Sequence, residues 1–205
     1  WLFSVDLYSG YDAILLQPKS RQLYGVKVVF SKKNIELLRA EGLVEEAAVL
    51  REFKDGSVEV LLQPRTLVQG WVNSCAAFTK IARQLARMWR AKGFRLANIL
   101  DDFLFSVSGT FEEACAVRDE VLRDMTRLGF YVSWAKSVLL PSRICKFMGV
   151  LVDSDSMRFH MPGEKIEKLD ELIRSFLVGV TRVAYRKMAS VTGKILSMSC
   201  AVSCA

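Results

Sequence analysis

The sequence predicts an α+β fold in which helices cover one face of a mainly antiparallel sheet, and three observations predict it. Short runs rich in β-branched and aromatic residues recur along most of the chain. Two long amphipathic stretches, 73–91 and 110–128, lie between them. The middle of the chain therefore reads strand, insertion, helix, strand hairpin, helix, strand, a layout that places helices against an antiparallel sheet.

Element by element, Trp1 to Asp6 (WLFSVD) reads as a short buried strand broken by Ser9-Gly10, and Leu23 to Phe30 (LYGVKVVF) as a second strand. Residues 32–52 change character. Apolar positions at Ile35, Leu38, Leu43, Ala47 and Leu50 among charges give a helical pattern interrupted at Gly42. Lys54-Asp55-Gly56-Ser57 is a turn signal followed by the strand-like VEVLLQ, which implies a hairpin. Asn73 to Ala91 forms an amphipathic helix, with Ala77, Ile81, Leu85, Met88 and Trp89 on one face and Lys80, Arg83, Arg87 and Arg90 on another.

Arg95 to Ser108 holds two apolar runs on either side of Asp101-Asp102 and reads as a tight hairpin turning at that pair. Thr110 with Glu113 makes a capping box for a helix reaching about Leu128 and stopping at Gly129. FYVSWAKSVLL and KFMGVLVD follow as strands, with a turn at Asp153–Ser156 and a short strand MRFHM. Two helices, about Gly163–Leu177 and Arg182–Ser199, close the chain.

With 205 residues, 51% hydrophobic and 25% charged, the chain has the size of one domain with a sizeable core, and global disorder is excluded. A formal net charge of +7 favours an anionic partner, nucleic acid first. Cys75, Cys115, Cys145, Cys200 and Cys204 are scattered, odd in number and without a CxxC pair, so neither a disulfide framework nor a structural zinc site is expected. Reduced thiols fit an intracellular setting, nucleus or cytoplasm. No apolar run approaches the ~18 residues of a membrane span, so no membrane partner is expected. The chain opens at Trp1, directly in a strand-like run, as an internal piece of a longer polypeptide would.

The chemistry concentrates in three carboxylates. In a core strand, ILDDFLF would place Asp101 and Asp102 in apolar surroundings, where an unpaired charge costs several kcal/mol. The doublet therefore belongs at an exposed turn or beside cations. WLFSVDLYSGY likewise ends an apolar strand in a carboxylate, Asp6. If the two strands are neighbours, Asp6 and Asp101 meet at one edge, and clustered like charges call for a divalent ion between them. Hard oxygen ligands suit Mg²⁺. Two such ions about 4 Å apart activate a hydroxyl and stabilise a leaving group in phosphoryl chemistry.

Five segments in order carry a specific resemblance. FSVDLYSGY, LVQGWVNSCAAFTK, ILDDFLF, VSWAKSVLLP and KFMGVLVD resemble the successive catalytic motifs of reverse transcriptases, and together they span Phe3 to Asp153. The flavour is that of DIRS-type or gypsy-type retrotransposons. The resemblance implies an RNA-directed DNA polymerase palm over 1–160, with a fingers-like insertion at about 31–62 and the start of a helical thumb or connection region over 161–205. Asp6, Asp101 and Asp102 would hold two Mg²⁺ or Mn²⁺ ions, with Asp102 less directly coordinated and the Leu7 carbonyl completing a shell.

Tyr11 would be the steric gate against a 2′-hydroxyl, and Gln69 and Gly70 would border the nucleotide pocket. Lys136 would donate a proton to pyrophosphate, and Phe147, Met148 and Gly149 would grip the primer end. The partners implied are an RNA template, a DNA primer and deoxynucleoside triphosphates, within a polyprotein that also carries ribonuclease H. The upstream fingers, most of the thumb and the ribonuclease H would lie outside this chain.

The sequence departs from the motif pattern at Ile99, where the family has Tyr, at Val68 and Cys75, where it has Pro, and at Asp12. These departures keep open a second reading, a catalytically inactive retroelement remnant that binds nucleic acid or protein. A third, an RNA-directed RNA polymerase palm, is opposed by the bulk of Tyr11.

Overall fold

The structure, a computed structural model, describes residues 1–21, 24–45, 48–177, 184–199 and 201. In chain order the elements are β1 (Leu2–Asp6), a 3-10 turn (Gly10–Ala13), α1 (Pro18–Arg21), β2 (Val26–Phe30), α2 (Lys32–Ala40), β3 (Val49–Glu52), β4 (Val58–Leu62) and α3 (Val72–Ala91). Then come β5 (Arg95–Ile99), β6 (Asp102–Ser106), α4 (Phe111–Arg127), β7 (Val138–Ser142), β8 (Ile144–Phe147), β9 (Val150–Asp153), β10 (Arg158–His160), α5 (Gly163–Leu177) and α6 (Tyr185–Met198). They form two compact units, Trp1–Tyr8 with Thr79–Ala205, and Ser9–Phe78.

The first unit is built on a four-stranded antiparallel sheet in the order β5-β6-β1-β7. Strand alternation sends Phe3 and Val5 of β1 to the same face as their partners Phe105 and Phe103 of β6. There the Phe3 and Phe105 rings stack 4.8 Å apart, and Trp89 of α3 meets Phe103 and Phe105 edge-on at 5.4 and 5.3 Å. All four side chains are completely buried. The Trp89 indole N–H donates to Asp124 on α4 at 3.1 Å, and Lys92 donates to the same carboxylate, so one ion-pair network ties the two helices together. A second sheet, β10-β9-β8, lies toward the other face, where buried Cys145 of β8 bonds to buried Ser4.

The second unit carries a three-stranded antiparallel sheet in the order β2-β4-β3. Ile35 of α2 packs on Val58 and Val60 of β4, with Phe30, Val44, Val49 and Leu62 around them, giving this segment its own small core. Ser31 caps α2 by accepting from the Asn34 N–H.

The expected hairpin across 54–57 is present, and so are the Thr110–Glu113 capping box and both closing helices. Two expectations are corrected. The helical pattern over 32–52 ends at Ala40, and Val49–Glu52 is a strand instead, because pairing with β4 satisfies its backbone. The strand expected over 130–140 is reduced to a single bridge at Val132, followed by a turn and then β7 from Val138. Leu23, Ala47 and Arg182, expected within a strand and two helices, lie outside the described residues. Among the described residues no helix is long and apolar enough to cross a membrane.

Candidate active site

Antiparallel pairing of β1 with β6 sets Asp6 directly opposite Asp102, each at the end of its strand. Both carboxylates point to the face opposite the phenylalanine cluster, since Asp6 alternates with Val5 and Asp102 with Phe103. The Leu7 N–H donates to the Asp101 carbonyl at 3.1 Å, which fastens the hairpin tip to the end of β1. The turn itself sits one residue earlier than the sequence suggested. Ile99 pairs with Asp102, so the two-residue loop is Leu100-Asp101, and Asp102 is the first residue of β6.

Burial drives the Asp102 carboxyl up to about 6, reinforced by its hydrogen bond with Asp6 and by the Asp6 and Asp101 charges, with Lys136 opposing. Burial disfavours the charged form, and the neighbouring carboxylates add to that. Among the described residues no three Asp, Glu, His or Cys side chains converge as a finished metal cage. A magnesium-type ion does not require one. It takes one or two carboxylates and completes its shell with water and substrate phosphates, and the all-oxygen donors of Asp6 and Asp102 fit it.

Sequence reading missed how Asp6 is held. Its N–H donates to Ser137 Oγ at 3.0 Å, and its carbonyl accepts from the Ser133 N–H at 2.8 Å. The turn from Ser133 to Ser137, which carries Lys136, is therefore clasped onto the backbone of the carboxylate residue from both sides. The paired serines around the lysine were visible in the sequence, but their partner, some 130 residues away, was not.

The hairpin of Phe147, Met148 and Gly149 is intact. Phe147 pairs with Val150, and the two-residue loop has φ of 50° at Met148 and 76° at Gly149. Both positive values are those of a type I′ turn. Met148 stands exposed at the tip. Between the β9–β10 hairpin and the carboxylate-bearing sheet is a cavity of about 390 Å³, lined by Leu2, Ala97, Leu104, Val152 and Phe159 among others.

Tyr11, Gln69 and Gly70 belong to the Ser9–Phe78 unit. Tyr11 sits in the 3-10 turn with its ring 5.2 Å from that of the buried Phe78. A bridge between Leu15 and Thr66, with the Leu67 N–H donating to the Ile14 carbonyl at 3.1 Å, brings the stretches following Tyr11 and preceding Gln69 side by side. Gln69 and Gly70 are exposed, and Gly70 has a φ of 82° that only glycine adopts without strain. Just beyond them Ser74 donates to the Val68 carbonyl at 2.7 Å, shaping the bend into α3.

Solved structures share the fold. Among solved structures, foamy viral protease-reverse transcriptase in complex with an RNA/DNA hybrid aligns at a TM-score of 0.64 and 18% identity, over 96% of this chain and 21% of that one. The same viral protein solved with double-stranded DNA aligns at a TM-score of 0.62 in two further structures, at 18% and 19% identity, again over 96% of this chain and 27% and 32% of theirs. This chain thus spans about a third or less of those polypeptides. No curated protein matches it in sequence. The profile of the family described as reverse transcriptase (RNA-dependent DNA polymerase) matches residues 1–152, and on that match the chain belongs to the reverse transcriptase family.

Proposed function

We propose that this chain carries the nucleotidyl-transfer centre of an RNA-directed DNA polymerase, of retrotransposon type, and that it extends a DNA primer on an RNA template. The observation that supports this most is the cross-strand pair of Asp6 and Asp102, with Asp101 at the adjoining turn and Lys136 within electrostatic reach. In this reading Asp6, Asp101 and Asp102 hold the divalent cations, Mg²⁺ or Mn²⁺. When bound, two such ions lower the pKa of a primer hydroxyl and neutralise charge on the triphosphate.

The protein's own part is positioning. The clasp by Ser133 and Ser137 fixes Asp6, and the rigid β1–β6 register fixes Asp102 opposite it. Lys136 supplies a proton to the departing pyrophosphate. Tyr11 screens the sugar, Gln69 and Gly70 border the nucleotide, and the tip of Phe147, Met148 and Gly149 steadies the primer end. Residues 1–160 serve as palm with its insertion at 31–62, and 161–205 begin the thumb.

The inactive-remnant reading rests on the departures at Val68, Cys75 and Ile99, the last of them beside the carboxylates. Ile99, the cross-strand partner of Asp102, is 48% exposed and lacks the hydroxyl that the family places there. Primer extension separates the two. The full-length protein should extend a DNA primer on an RNA template in Mg²⁺ or Mn²⁺, and Asp101→Asn should lower the rate by about a hundred- to a thousandfold, the scale of removing a transition-state charge stabiliser. A folded wild-type protein inert in both metals would leave the remnant reading in its place.

A further inference from the structure

Helix α3 carries charge of one sign only. Its 20 residues, Val72–Ala91, include Lys80, Arg83, Arg87 and Arg90 and no Asp or Glu. By contrast α4, tied to it through Trp89 and Asp124, mixes the two signs and pairs Arg118 with Asp119. All four cations of α3 are exposed. Arg90 is already engaged, donating to the Leu96 carbonyl at 3.0 Å. Among the described residues Lys80, Arg83 and Arg87 pair with no carboxylate.

Spacings of three and four residues set these cations side by side on the helix, where like charges repel. The helix dipole favours cations in the last turn, which holds Arg90, so it does not account for Lys80 and Arg83. A strip that repels itself in the free protein points to an anionic ligand.

The fold keeps that ligand away from the carboxylates. Trp89 faces the sheet, edge-on to Phe103 and Phe105, whereas Asp6 and Asp102 leave the sheet on the opposite face. At 3.6 residues per turn, Lys80, Arg83 and Arg87 lie about 120–180° round the axis from Trp89, so they point outward from the sheet. The strip runs about 10 Å along the helix, with successive cations about 4.5 and 6 Å apart along its axis. A single phosphate would engage one of them. A nucleic-acid backbone, with a charge about every 3.4 Å along each strand of a duplex, engages all three. Arginine at two of the three positions favours phosphate, which a guanidinium holds bidentately. The exposed residues alongside, Gln84 and Ala91, supply no large apolar anchor for a protein interface.

We propose that Lys80, Arg83 and Arg87 form a second nucleic-acid face on the outer side of α3. It grips the phosphate backbone of a segment remote from the carboxylates and reads no base sequence.

The test uses the full-length protein preloaded with a primer-template whose primer is chain-terminated. A labelled second oligonucleotide, single-stranded DNA in one arm and duplex in the other, is titrated over a series of salt concentrations. It should bind the preloaded protein whatever its sequence, and the tighter arm identifies the strand form. Lys80→Gln, Arg83→Gln and Arg87→Gln combined should weaken this binding about tenfold and flatten the slope of log affinity against log salt by about two to three. Arg83→Lys with Arg87→Lys should keep the slope, because the charge is retained. The three positions are exposed and Gln sustains helices, so the triple variant should keep the wild-type circular dichroism spectrum.

Poly-glutamate, a polyanion without phosphate, should bind more weakly than DNA. An unchanged slope in the triple variant, no second oligonucleotide bound, or poly-glutamate bound as tightly as DNA would overturn the proposal. Failure of the preload itself would count against the polymerase reading alone, and the same change of slope is then expected on the free protein.

Discussion

Asp102 holds the sharpest conflict in the molecule between stability and proposed function. Its carboxyl is raised to about 6 from 3.8, chiefly by burial and then by Asp6 and Asp101. Between those values the folded chain binds the proton more tightly than the unfolded chain. Without metal, stability therefore falls as pH rises from about 4 to about 6, and at pH 7 the ionised group is destabilising. Asp102→Asn should then stabilise the metal-free protein at pH 7. Solvent screening limits the gain to at most about 1 kcal/mol, or about 2–4 °C in Tm for a chain of this length. The difference should vanish below about pH 4, where wild type is protonated in both states. Paired thermal melts at pH 7 and pH 4 in EDTA check this, and a lower Tm for the variant at pH 7 would contradict it.

That carboxylates would meet at strand ends was legible in the sequence, because charge in an apolar run needs an explanation, and β1 and β6 set Asp6 opposite Asp102. The clasp by Ser133 and Ser137 was not, because it depends on which distant backbone each residue meets.

At the scale of elements, local signals held where a short-range rule governs. Thr110 accepts from the Glu113 N–H at 3.2 Å, and Glu113 accepts from the Thr110 N–H at 2.8 Å, as the T-x-x-E spacing implies. Thr110→Ala should cost about 1 kcal/mol, read from urea unfolding, with secondary structure intact.

The β8–β9 turn offers a second test. Gly149 has a φ of 76°, and a Cβ there would meet the Lys165 side chain. Gly149→Ala should destabilise the hairpin by about 1–2 kcal/mol. If the hairpin holds the primer, the variant should weaken primer-template affinity more than nucleotide affinity in steady-state extension.

Signals failed where tertiary pairing overrode local preference. Residues 49–52 have both a helical spacing and strand-compatible side chains, and the ladder to β4 decided between them. Residues 133–137 were diverted from a strand into a turn by their bonds to Asp6.

At the scale of the whole molecule, order of motifs was the most legible property. The first, third and fourth segments meet because β1, β6 and β7 lie in one sheet, and the family match covers the span of all five. The division into two units was not legible. One break falls between Tyr8 and Ser9, at the Ser9-Gly10 signal after β1, but the other falls between Phe78 and Thr79, inside α3, where the sequence runs on without punctuation. The resemblance set 31–62 apart as an expected insertion, but the core of Ile35, Val58 and Val60 within it emerged only from the sheet that assembles it.

In the proposed function the carboxylates at the β1–β6 strand ends hold divalent cations. Electron paramagnetic resonance of Mn²⁺ titrated into the full-length protein, with primer-template and a deoxynucleoside triphosphate present, tests it most directly. Two ions should bind per chain, with at least one lost in Asp6→Asn and in Asp101→Asn while the fold and the nucleic-acid affinity stay intact. The same occupancy in wild type and both variants would place the cations elsewhere and contradict it.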